Sequence, residues 1–130
     1  MGKQRKAVVL DFDGVIHSYT TKFKFPFVIP DPPVPGAMEW IHEHADKLII
    51  RILSTRNSNE KGLAAMKKWI LEWGIKKCGN DFNKTFKKLK FVDPTKGKPK
   101  AQLYIDDRGF HFKGEFPTLE FIEGFKAWNK

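Results

Sequence analysis

The sequence predicts a single α/β domain over 1–130, a parallel sheet in a three-layer, Rossmann-like arrangement with helices on both faces. Three observations carry that expectation. Short β-rich segments, apolar on both faces, recur at Ala7–Asp11, Leu48–Leu53, Leu89–Val92 and Leu103–Ile105, as the strands of a buried parallel sheet do. Segments with helical apolar spacing lie between them. Several strands also run straight into polar clusters, DFDG from Asp11, STR from Ser54 and IDDR from Ile105. Ligands of an open parallel sheet bind at the carboxyl ends of its strands.

Each element can be justified in turn. Ala7–Asp11 is apolar until its last residue. Tyr19–Pro35 (YTTKFKFPFVIPDPPVP) is dense in proline and has no steady period, which marks a candidate functional loop. Within it, Lys22, Phe23, Lys24 and Phe25 alternate as in a short hairpin arm. Gly36 to Ala45 reads as a helix, with Ala37, Met38, Ile41 and Ala45 on one face and Pro35 suited to its first turn. After Leu48–Leu53, Asn57 is the expected cap of the next helix, with Glu60 three residues on. Leu63, Met66, Trp69, Ile70 and Trp73 form an apolar stripe read as core, and Gly74 is the expected stop. The segment FHFKGEF after Gly109 is ambiguous. Pro117 opens a last helix, with Leu119, Ile122, Phe125 and Trp128 expected to face inward.

Composition bounds the function. A chain of 130 residues, 41% hydrophobic with 12 Phe and 4 Trp, can bury a core of its own. A single cysteine, Cys78, allows no internal disulfide, is read as structural and makes the cytoplasm the simplest compartment. No apolar run approaches membrane-spanning length, and the run after MGKQRK is too short for a signal peptide. The net charge of +9 favours anionic partners such as nucleic acid or phosphorylated metabolites, although spread lysines also serve solubility alone.

The predicted fold brings Asp11, Asp13, Ser54, Asp106 and Asp107 to one rim. Carboxylates crowded in one cleft cannot all stay ionised without a cation, and hard oxygen ligands select Mg²⁺. A carboxylate can also attack phosphorus. Asp11 stands at the strand tip for that role. Asp13, two residues on, can protonate a leaving oxygen and then activate water. A Ser or Thr hydroxyl and a lysine would hold the phosphoryl oxygens. Reading DxDG as a calcium loop fails, because the positions that need ligands hold Val15 and Lys22.

DFDGVIH, the strand-end STR and KPKAQLYIDDRG, in this order, resemble the haloacid-dehalogenase-like superfamily of phosphohydrolases. The resemblance spans Val8 to about Gly109. It implies Mg²⁺-dependent phosphomonoester hydrolysis through an aspartyl-phosphate, with Asp11 as nucleophile and Asp13 as acid/base and a backbone ligand to the metal. Asp106 would ligate the metal directly, and Asp107 would be a ligand or hold metal-bound water. The phosphate-binding hydroxyl falls on Ser54 if Arg56 matches the family's T-x-R arginine, with Thr55 the alternative. Lys98, followed by Pro99, fits the family's lysine best, with Lys96 and Lys100 close by.

The spans between motifs are too short for a folded cap, so the resemblance is to a small capless member with the loop at 19–35 in the cap's place. An open cleft suits a nucleotide, a nucleic acid end or a sugar phosphate. His17, Thr55 and Arg56 are the expected substrate-binding residues. Phe23, Phe25 and Phe27 either stack on substrate or pack down on the core. The alternative from a different class is a non-catalytic nucleic-acid-binding or accessory protein on the same fold.

Overall fold

The computed structural model describes residues 5–129. Its strands are β1 (Lys6–Asp11), β2 (Leu48–Leu53), β3 (Lys90–Val92) and β4 (Leu103–Ile105), all parallel, in the order β3-β2-β1-β4. The helices are α1 (Ala37–His44), α2 (Glu60–Cys78), α3 (Phe82–Phe86) and α4 (Leu119–Gly124), in addition to short 3₁₀ turns at Thr55–Ser58 and Pro94–Lys96. Among the described residues no helix is long and apolar enough to cross a membrane.

Alternation along the strands sorts the sheet into two faces. Val8, Leu10, Ile50 and Ile52 point to one side, where they pack with Met38, Ile41, Met66, Trp69, Ile70 and Phe82. α1, α2 and α3 touch one another and form this layer. β1 lies between β2 and β4, so the chain leaves its carboxyl end toward one neighbour and comes back on the other. Such a switch point is where open parallel sheets form their crevice.

Three expectations need correction. Helices cover one face of the sheet, not both, because α4 buries none of its residues. Leu119, Ile122, Phe125 and Trp128, expected inside, are all exposed. The second helix is capped by Asn59, whose side chain accepts from the Gly62 N–H at 2.9 Å. Asn57 is instead buried and donates to the carbonyls of Ile52 and Val92, tying together the ends of β2 and β3.

The third correction concerns Gly74. α2 runs past it to Cys78 and stops at Gly79, which holds a positive φ of 87°. Gly74 is needed inside the helix because a Cβ there would come within 2.1 Å of the Phe82 ring. The glycine lets α3 seat its buried phenylalanine directly on the α2 backbone. Gly74→Ala is therefore expected to overpack this joint and cost about 1–3 kcal/mol. Thermal melts should show the loss, and pairing the change with Phe82→Leu should recover part of it.

Candidate active site

Asp11 is the last residue of β1 and lies opposite Leu53 of β2. Its side chain shares a face with Val9, the face that carries no helix layer. A cleft of about 360 Å³ opens there, lined by Asp11, Leu53, Tyr104, Asp106, Asp107 and Arg108 among others. The carboxyl of Asp11 is in hydrogen-bond contact with that of Asp107. Two carboxyls in contact must share a proton or a cation. Burial first, then the Asp107 bond, then the charges of Asp107, Asp13 and Asp106 push the Asp11 carboxyl up to about 8.

Gly14 makes this contact possible. Its φ is +91°, and a Cβ there would lie 2.2 Å from an Asp107 carboxylate oxygen. Asp107 therefore rests against bare backbone just beyond Asp13. Asp106 faces differently. Its Oδ1 accepts from the Arg108 N–H at 2.9 Å and from the Gly109 N–H, closing the turn after β4. The carboxyl that meets Asp11 is thus the second of the IDDR pair.

Asp13 has the opposite environment. Its carboxylate accepts from Nδ1 of His17 at 2.8 Å and from Nε and Nη2 of Arg56 at 3.0 and 3.1 Å. Burial alone would raise its pKa. The hydrogen bonds from His17 and Arg56, with the Arg56 charge, outweigh that and hold the carboxyl below the usual carboxylate range. On His17, Nε2 accepts the Asp31 N–H at 3.1 Å. A lone pair is needed on Nε2, so the ring proton sits on Nδ1 and points at Asp13.

The sequence suggests that His17 and Arg56 touch substrate; the structure shows what each of them holds. Both are buried, at 0% and 1% exposure. Arg56 Nη1 donates to the carbonyls of Phe25, Pro26 and Val28, so one guanidinium fastens the proline-rich loop to Asp13. The loop is pinned a second time by Asp31, whose carboxylate accepts from the N–H and hydroxyl of Thr21. Its base is closed by Ser18 N–H to Pro32 and Val34 N–H to Ile16.

Ser54 is buried at the end of β2, and its Oγ accepts the Arg56 N–H at 3.1 Å. Its own O–H remains available to donate. Thr55 is exposed one residue on. Lys98 sits with its ammonium 5.0 Å from the centre of the Tyr104 ring, beside the cleft. Among the described residues it forms no ion pair with a carboxylate. Lys96 ends the turn after β3, and Lys100 offers its carbonyl to Arg51 at 2.9 Å.

Some participants carry no motif in the sequence. Tyr19 holds a left-handed φ of 57° and stacks obliquely near His17, and its phenol feels Asp13, Arg56, Arg108 and Asp107. Trp128 Nε1 donates to the Gly14 carbonyl at 2.8 Å, and Asn129 Nδ2 to the Ser18 carbonyl at 2.9 Å. The C-terminal segment thus leaves the cleft at Asp106 and returns to it at Gly14. No local pattern marks such long-range contacts.

No family model matches the chain, and neither do any curated proteins or solved structures.

Asp11 binds its proton more tightly folded than unfolded. Its contribution to stability is full below about 3.8 and drains as pH rises through about 8. Asp13 has the opposite sign and loses its contribution only as pH falls below the ordinary carboxylate range. In EDTA, the unfolding free energy from urea titrations should therefore decline from about pH 5 to about pH 8, and Asp11→Asn should flatten the decline.

Proposed function

We propose that this protein is a Mg²⁺-dependent phosphomonoesterase of the haloacid-dehalogenase-like kind, working through an aspartyl-phosphate on Asp11. The contact between Asp11 and Asp107 at the tip of β1 carries this reading. A carboxyl pair at the switch point of a parallel sheet needs a cation or a proton, and an incoming phosphate ester needs the same cation.

The donor chemistry fits Mg²⁺. The groups are hard oxygens, and Mg²⁺ commonly takes one or two carboxylates with the rest of its shell from water and phosphate. Among the described residues no three acidic, histidine or cysteine side chains already surround one point. Asp11, Asp107 and the Asp13 carbonyl would hold the ion, with Asp106 adjoining. When bound, it supplies charge neutralisation for the carboxylates and the phosphoryl oxygens.

The chain's own residues divide the chemistry. An Asp11 oxygen forms a bond to phosphorus as the bond to the leaving oxygen breaks. The Ser54 hydroxyl donates to a phosphoryl oxygen, and Lys98, against the Tyr104 ring that lines the cleft, supplies a balancing charge. Asp13 handles the proton. His17 and Arg56 keep it ionised at rest, and the negative charge of an arriving phosphate raises its affinity for a proton, which it takes up from solvent. It gives that proton to the leaving oxygen. It then takes one from the water that cleaves the Asp11–phosphorus bond and releases phosphate. The single cysteine suits a cytoplasmic setting.

The test is hydrolysis of p-nitrophenyl phosphate and of a panel of phosphate esters, with Mg²⁺ and with EDTA. Wild-type protein should turn over only with the metal, and Asp11→Asn should fall by at least about 10³-fold with its fold intact. An acid-stable, hydroxylamine-labile phosphate on the wild type would identify the intermediate. No metal-dependent turnover of any ester would pass the site to the second reading, a binding protein that retains the motifs.

A further inference from the structure

We infer that the cleft takes the phosphorylated end of a single-stranded nucleic acid, whose terminal bases stack on exposed phenylalanines flanking the carboxylates. The phosphorylated end rests on the phosphatase reading, whereas the stacking platform rests on geometry of its own.

The first arm is Lys22–Val28. Phe23, Phe25 and Phe27 are 43%, 55% and 48% exposed, so they neither fill the core nor cover it. Phe25 and Phe27 lie parallel, 5.5 Å between centroids and 11° between planes. Lys22 and Lys24 alternate with the rings and are exposed. Lys61 holds its ammonium 6.0 Å from the Phe27 ring centre. The arm does not swing freely. Arg56 holds the carbonyls of Phe25, Pro26 and Val28 with the same guanidinium that binds Asp13, and the Phe23 ring lies 5.1 Å from it. The platform is thereby fixed one side chain away from the acid/base group.

The second arm repeats the pattern directly after the other carboxylates. Arg108, Phe110, His111, Phe112 and Lys113 follow Asp107, and all of them are exposed. The Phe112 and Phe116 rings are 4.8 Å apart. Cations spaced between accessible flat rings suit a ligand that alternates phosphate with base. Base stacking on aromatic rings combined with a basic track is how single strands are bound without regard to sequence. A duplex keeps its bases stacked on one another and offers these rings nothing. A small sugar phosphate would leave both arms unused. The net charge of +9 points the same way.

Binding can be read without turnover. Fluorescence anisotropy would use ten-nucleotide oligo-dT and oligo-U, each with a 3′- or a 5′-phosphate, on Asp11→Asn in Mg²⁺, where turnover is blocked, and on the wild type in EDTA. We expect saturable binding and affinity falling steeply with salt in both, and, with Mg²⁺ present, preference for the phosphorylated end that the cleft accepts. Phe25→Ala with Phe27→Ala should weaken binding about tenfold or more without changing the salt slope. Lys22→Ala with Lys24→Ala should lower that slope by about 1.4, at roughly 0.7 for each phosphate no longer neutralised. Circular dichroism checks that each variant folds.

Equal binding of a blunt duplex or of polyglutamate would overturn the inference, as would unchanged affinity in the phenylalanine pair. Hydrolysis of p-nitrophenyl phosphate without oligonucleotide binding would remove this substrate and leave the enzyme. Stacking-dependent binding without any hydrolysis would remove the enzyme and leave the single-strand site.

Discussion

The buried guanidinium of Arg56 is the constraint on which the site depends. Withdrawing such a charge from water costs several kcal/mol unless it is paired and its donors are used. Here the donors reach Asp13 on one side and three loop carbonyls on the other. The pairing joins the end of β2, the turn after β1 and the proline-rich loop at one atom group. Removing one partner of a buried pair typically costs about 3–5 kcal/mol, because the other is left uncompensated. A loop without regular secondary structure can therefore keep a defined place beside Asp13.

The same network explains why two neighbouring aspartates behave oppositely. Asp11 meets another carboxyl and is pushed toward its protonated form, while Asp13 meets a donor ring and a cation and is held ionised. Groups of one chemical type driven apart by their surroundings are the usual basis of an acid/base assignment. In this chain His17 and Arg56 make the difference from beneath. They hold Asp13 in place and keep its charge, and both are buried in doing so.

Strand positions are legible in the sequence because buried parallel strands are apolar runs, and Leu48–Leu53 and Leu103–Ile105 have the bounds those runs suggest. The carboxylates are legible because they interrupt such runs. What is not legible depends on packing between distant segments. Asn57 looks like a cap by local rules, yet two strand-end carbonyls claim its amide. Gly74 looks like a stop, yet a ring from α3 occupies the space a side chain would need. Leu119, Ile122 and Phe125 have helical spacing, which shows which residues share a face but not whether anything lies against it. Arg56 and His17 are polar residues near a motif, and only burial separates a positioning group from a binding one.

The open side of the cleft follows from the connection between β3 and β4. Crossing from one edge of a parallel sheet to the other ordinarily takes a helix, which then covers the face it crosses. Here the stretch from Asp93 to Gln102 contains only the Pro94–Lys96 turn. The Pro99 carbonyl instead accepts from the Tyr104 hydroxyl, and Lys98 rests on the Tyr104 ring. The helix-free face is therefore lined by Val9, Leu53 and Tyr104, the wall of the cleft that holds Asp11. A helical crossover would have laid a third layer over that wall. Its replacement by a loop leaves Asp11 and Asp107 lining an open cleft at the strand ends.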